Sequence, residues 1–271
     1  MRRARDFLGS LRDRLLPFPP VVTPDQLRRG GEAEIVAVAD GDTVELEDGT
    51  TVRLVGIQAP KLPLGRPGYP TWPFAEEARA ALSAMCLGRG VRLAYGGRRI
   101  DPHGRRLAHL FVDDAGEGGW VQGAMVRRGF ARVYSFPDNR SCVRLLERVE
   151  GEARRLREGL WALDNYRVLD GGRPGEVRSR NSRYELVEGA PLSAERAGRR
   201  YYLNFGTNWR HDFTVTLPVA ELRRFDWDGV SPKRLVGNKI RVRGWIGENG
   251  GPFIEVTHPE QIEIVLDDDR K

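Results

Sequence analysis

The residues able to do chemistry gather between positions 40 and 61. Asp40-Gly41-Asp42-Thr43 lies between β-branched apolar runs, so it reads as a hairpin that sets two carboxylates at one end of a sheet. Further on, Thr51 to Ile57 is an apolar strand with a single arginine, Arg53, inside it, and it runs into Gln58-Ala59-Pro60-Lys61. A buried strand seldom carries an arginine without a partner. Carboxylate oxygens suit a hard cation. A planar guanidinium grips two oxygens of a phosphate or carboxylate at once. The stretch therefore describes a sheet end suited to phosphate, with or without a metal.

Other residue types narrow the chemistry. The four histidines (His103, His109, His211, His258) form no HxxxH or HExxH pattern, which argues against a zinc site. Cys86 and Cys142 stand far apart and read as buried free thiols. The net charge of +6 over 271 residues suits a polyanionic partner. No run approaches the ~20 apolar residues that cross a bilayer. At the N-terminus, Phe7, Leu8, Leu11, Leu15 and Leu16 among arginines would make a short basic amphipathic helix. Such a helix could meet a membrane surface or a protein partner. Arg12, Asp13 and Arg14 interrupt the apolar run, so it is a poor signal peptide, and a cytoplasmic location is expected.

The elements that must position these residues follow from patterning. Strands are expected at about 33–39, 43–46, 51–57, 91–95, 107–112 and 132–136, with helices at 74–87, 120–128 and 141–158. The stretch 61–73, rich in Pro and Gly, is an irregular loop at the mouth of the site, placed to act as rim or lid. Gly171-Gly172-Arg173-Pro174-Gly175 marks a domain boundary. The expected divisions are a basic leader and Pro-rich linker over 1–31, a first domain over 32–165, a linker over 166–178 and a second β domain over 179–268. Beyond the boundary, strands are expected at 183–187, 200–205, 213–217, 239–245 and 261–266. The fold class is α+β, mainly β: a five-stranded OB-type barrel with three helices, then a second OB-like barrel.

From about Glu32 to Trp161 the sequence resembles the staphylococcal nuclease (thermonuclease) family, through the Asp-Gly-Asp-Thr hairpin, the strand arginine and His103-Gly104-Arg105-Arg106-Leu107-Ala108. The resemblance implies a barrel with three helices, Ca²⁺ as cofactor and nucleic-acid phosphodiesters as substrate. It casts Asp42 as a metal ligand, Asp40 as an outer-shell acid, and Arg53 and Arg105 as the phosphate clamp. Tyr134 and Phe136 fall where the family places two tyrosines beside the nucleotide, and Phe136 keeps the stacking without the hydroxyl. It also makes export an alternative location.

The family's second metal carboxylate is Gln58 here, its threonine is Ala59, which retains a backbone carbonyl, and its catalytic glutamate is Lys61. Gln58 would be a weak, neutral ligand, and losing a charge weakens Ca²⁺. An unperturbed lysine titrates near 10.4, so a lysine here would be a poor base, though it could touch phosphate. The expectation is a nuclease-family protein with weak or altered hydrolysis. The alternative is a non-catalytic module that binds nucleic acid or protein.

The second domain is similar to modules found beside thermonuclease domains. Its Tyr201, Tyr202, Phe205, Trp209, Phe213 and Trp245 alternate with Arg199, Arg200, Arg210, Arg241 and Arg243. Aromatic and basic residues together suit single-stranded DNA or RNA, by stacking and phosphate contact. Alternation along a strand also sends half of them inward.

Overall fold

The computed structural model describes residues 23–112, 119–225 and 232–265. The expected basic leader helix lies outside the described residues. The chain forms two compact units, one over Val21–Tyr166 and the other from Arg167 onward.

The first unit runs β1 (Arg28–Asp40), β2 (Thr43–Leu46), β3 (Thr51–Leu54), β4 (Gly56–Gln58), α1 (Ala75–Cys86), β5 (Gly90–Tyr95), β6 (Arg106–Phe111), α2 (Val121–Arg127), β7 (Arg132–Tyr134) and α3 (Val143–Arg155). Five of these strands close a barrel in the order β1-β2-β3-β6-β5, as expected. Long β1 makes the closure feasible, because its first part pairs with β5 and its second part with β2. The parallel pair β3–β6 completes the ring. Inside lie Ile35, Val44, Leu54, Leu93 and Leu110, all essentially inaccessible, and burial of this kind drives the fold. Cys86 and Cys142 are buried free thiols, as expected.

The strand expected at 51–57 is broken. Gly56 takes φ +85°, a left-handed conformation that glycine adopts freely. There the chain leaves the barrel as β4, which pairs antiparallel with β7. A Cβ at Gly56 would also lie 2.9 Å from Leu146 of α3.

The second unit contains β8 (Leu169–Asp170), α4 (Pro174–Arg178), β9 (Tyr184–Gly189), β10 (Ser193–Ala197), β11 (Arg200–Asn204), β12 (Thr214–Pro218), β13 (Ile240–Asn249), β14 (Gly251–Glu255) and β15 (Ile262–Ile264). They form one eight-stranded sheet, in the order β10-β11-β12-β14-β13-β9-β8 with β15 on β13. The path begins at β10 and ends near β9, two strands separated by only three residues, 190–192. The chain itself thus joins the ends that no ladder joins. β12 and β14 are parallel, just as β3 and β6 are in the first unit.

Three expectations need correction. Residues 166–178 are not a spacer: β8 pairs with β9, and Val177 of α4 is fully buried. Gly171 is there because the chain passes close to an aromatic ring; a Cβ would sit 2.9 Å from Phe205. Likewise, 24–31 is not all linker, since Leu27 is buried and Arg28 opens β1. Strands β8, β10 and β14 carried too little apolar alternation to be seen. In β10 only Ala194 is buried, and β14 opens on Gly-Pro, a turn signal.

Candidate functional site

The site is built where β1 ends, β2 begins and the 59–73 segment crosses over them. Gly41 makes this approach feasible. A Cβ there would lie 2.6 Å from Ala59 Cβ and 2.8 Å from Ala78 Cβ of α1, so hairpin, crossing segment and helix meet at a residue without a side chain. The crossing segment is folded on itself. Trp72 N–H donates to Lys61 O at 2.9 Å, and Arg66 lies 3.8 Å from the Tyr69 ring centroid.

Lys61 Nζ donates to Asp42 Oδ1 at 2.7 Å, Asp42 Oδ2 at 2.8 Å and Asp40 Oδ2 at 3.1 Å. The ammonium, 17% exposed, therefore sits between the two hairpin carboxylates. Asp42 Oδ2 also accepts Ala59 N–H at 2.7 Å, and Arg53 Nη2 lies 3.3 Å from it. Asp40 Oδ1 accepts Asp42 N–H at 3.1 Å. Burial alone would raise the Asp42 pKa, but Arg53 and Lys61 outweigh it and hold the carboxyl well below the usual range. Asp40 goes the other way: burial and the adjacent Asp42 charge raise it, against Lys61 and Arg53. Two carboxylates and two cations leave the cluster formally neutral.

Arg53 is mostly committed to backbone. Its Nη1 donates to Leu54 O at 2.5 Å and its Nη2 to Ile57 O at 2.7 Å. The bend at Gly56 turns both carbonyls toward it, so Arg53 staples the bend as well as pairing with Asp42. Gln58 is buried on β4, and its Oε1 has no hydrogen-bond partner. Ala59 engages the cluster through its N–H; the sequence reading had assigned its carbonyl.

Arg105 makes no hydrogen bond or ion pair with Asp40, Asp42 or Lys61. It closes the 101–105 turn, where Nε donates to Asp101 Oδ2 at 2.7 Å, and its side chain is 36% exposed. Asp101 Oδ1 accepts the N–H groups of His103 and Arg105 at 2.8 and 2.9 Å. Burial would raise Asp101, but these bonds and the Arg105 charge lower it. Sequence reading did not assign Asp101 this orienting role, although Asp-Pro-His-Gly is a turn signal that could have suggested it. Tyr134 faces Gly56 across the β4–β7 ladder and meets Phe136 edge-on, with ring centroids 4.8 Å apart.

Ca²⁺ takes six to eight oxygen ligands. Here all four carboxylate oxygens of Asp40 and Asp42 already accept hydrogen bonds, three of them from an ammonium that would repel a divalent ion. Among the described residues no group of three or more His, Cys, Asp or Glu side chains could hold a metal. Gln58 Oε1 is a single neutral donor. The residues present do not fit Ca²⁺.

In the second unit the aromatic–basic alternation does not make one exposed array. Phe205 and Phe213 are core, and Arg241 and Arg243 are buried and ion-paired with Glu188 and Glu263. Arg200 pairs with Glu255. Trp209 and Trp245 are exposed.

The closed barrel with an acidic hairpin and a strand arginine is the setting in which comparison with known proteins places the first unit. The family model described as staphylococcal nuclease homologue matches residues 51–163, wholly within the first unit. The thermonuclease of Staphylococcus intermedius is 28% identical over 136 residues, 49% of this chain and 77% of the relative. That of Staphylococcus hyicus is 24% identical over 132 residues, 48% and 75% of the two chains. An uncharacterized endonuclease of Escherichia coli O157:H7 is 31% identical over 131 residues, 47% and 75%. Through its first unit this chain belongs to the staphylococcal nuclease family.

Proposed function

We propose that the first barrel binds nucleic-acid phosphodiesters at its hairpin end and hydrolyses them weakly, with Lys61 standing where a metal would be needed. The observation that carries this reading is the Lys61 ammonium seated on Asp40 and Asp42. Phosphodiester hydrolysis needs positive charge at the phosphate and a group that takes a proton from water. Lys61 supplies charge, but it is spent on two carboxylates. Protonated lysine only donates, so it cannot activate water, and Gln58 has no proton affinity to offer. Losing a general base typically costs roughly 10²–10⁴ in rate.

Arg53 is held by Leu54 O and Ile57 O, so Arg105 is the clamp residue open to an incoming phosphate. Its side chain is 36% exposed, whereas its partner Asp101 is largely covered, so a phosphate would approach Arg105 from the solvent side. Beside Gly56, the edge-on Tyr134–Phe136 pair offers a ring surface for a base or sugar.

The test is cleavage of single-stranded DNA and RNA with Ca²⁺, Mg²⁺, Mn²⁺ or EDTA. Wild type should cleave slowly and with no metal stimulation. The double variant Gln58→Asp/Lys61→Glu restores two carboxylates and removes the ammonium, and should gain metal-stimulated cleavage of at least about tenfold. Strong Ca²⁺-stimulated turnover by wild type, unchanged in the double variant, would sink the proposal.

A further inference from the structure

We propose that the outward face of β10, β11, β12 and β14 is a second nucleic-acid site, one that takes the unpaired bases of a single strand. This rests on the reading that the chain handles nucleic acid, and it concerns residues the first barrel does not contain.

The face is two rungs of one sheet. Register places Glu195, Tyr202, Thr216 and Glu255 in one row across four strands, and Ser193, Asn204, Thr214 and Phe253 in the next. Alternation sends the residues between them, Ala194, Leu203, Val215 and Ile254, into the core. Above the rows is a groove of about 630 Å³, bounded at one end by Trp209. That volume falls in the range of ligand sites.

Three features point to a base-bearing ligand. Tyr202, Phe253 and Trp209 line the groove with ring surface, and Trp209 is 55% exposed. Arg210 lies over the Trp209 ring, 4.6 Å from its centroid, which adds a cation at the groove's end. Stacking on aromatic rings beside a cation is how unpaired bases are held, whereas a duplex hides its base faces. Trp209 is pre-positioned. Its loop is closed by Phe205 N–H to Phe213 O, and Asp212 accepts Asn208 N–H at 2.7 Å.

The floor is polar and incompletely satisfied. Thr216 is 6% exposed, and its Oγ1 has no hydrogen-bond partner although the residue lines the groove. A buried polar atom normally has one. Glu195, exposed to solvent, also lines the groove and its side chain makes no hydrogen bond or ion pair among the described residues, whereas Glu255 is neutralised by Arg200. A lone carboxylate repels phosphate from the floor, so the backbone stays at the rim and the base edge points inward. Carboxylates accept from the exocyclic amine of cytosine, which predicts preference for amino-bearing bases over thymine.

The full-length chain in EDTA should be titrated with fluorescent decamers of dC and dT, a blunt duplex and maltohexaose. The dC decamer should bind tightest and the duplex weakest. Trp209→Ala, an exposed position whose loss does not threaten folding, should weaken dC binding at least about tenfold. Glu195→Gln should narrow the dC-to-dT difference. Arg105→Ala alters the first barrel alone and should leave a Trp209-dependent component. Unchanged affinity in Trp209→Ala would overturn the inference, as would maltohexaose binding with no decamer binding. Absent cleavage under every condition would defeat the first-barrel reading and leave this one standing.

Discussion

Lys61 sets the energetics of the barrel end. Without it, Asp40 and Asp42 would be two buried carboxylates with Arg53 as the remaining ion-pair partner among the described residues. Lys61→Met should therefore destabilise the fold by roughly 3 kcal/mol, the lower end for breaking a buried pair, because the ammonium keeps some solvent access. The sign with pH follows from Asp42. Its folded pKa is depressed, so its contribution is present above about pH 4 and is lost as pH falls toward the folded value. Urea unfolding should show a gap between wild type and variant at pH 6 that narrows on acidification, as Asp40, whose pKa is raised, and then Asp42 take up protons. Equal stability at pH 6 would mean the pair contributes nothing.

At the level of elements, β6 and α2 are joined by a buried polar contact that titrates. Trp120 Nε1–H donates to His109 Nδ1 at 3.2 Å, and burial pushes the His109 pKa down to about 3. The folded state refuses a proton that the unfolded chain takes up near pH 6.5. Stability is therefore full above that pH and falls as the solution is acidified, by up to about 1.4 kcal/mol per pH unit. His109→Gln keeps an acceptor for Trp120 and should flatten the slope between pH 6.5 and 4. Urea midpoints at three pH values decide this, and an unchanged slope would assign the acid sensitivity to other groups.

The elements also show what sequence could convey. The Asp-Gly-Asp-Thr turn, Arg53 and the three long helices were legible because their signals are local, in turn residues and helical spacing. The break at Gly56 was not, because only Leu146 and the bend itself require that glycine. The contact between Lys61 and the hairpin was likewise illegible. Nineteen and twenty-one residues separate the partners, and only the packing of Ala59 against Gly41 brings them together. Lys61 thus brings the hairpin an ion pair that its residue type alone does not announce.

For the whole molecule, the two units share a pairing scheme that composition could not display in the second. Its strands β8, β10 and β14 are short or polar, and its glycines at 171–172 imitate a spacer while packing beside Phe205 and Asp170. Neither described unit relies on a disulfide, since both cysteines are free, and neither contains a cluster of metal-binding side chains among the described residues. On the proposed reading, in which Lys61 stands where a metal would be needed, thermal unfolding should have the same midpoint with and without EDTA; a drop of several degrees on chelation would count against it.

The seat of Lys61 has a broader consequence. A bound ion is shared among competing proteins, and its occupancy follows the concentration around it. A lysine is encoded, present once per chain, and arrives with the polypeptide. On the proposed reading, the positive charge at the barrel end is assembled at translation and does not depend on the supply of a divalent ion.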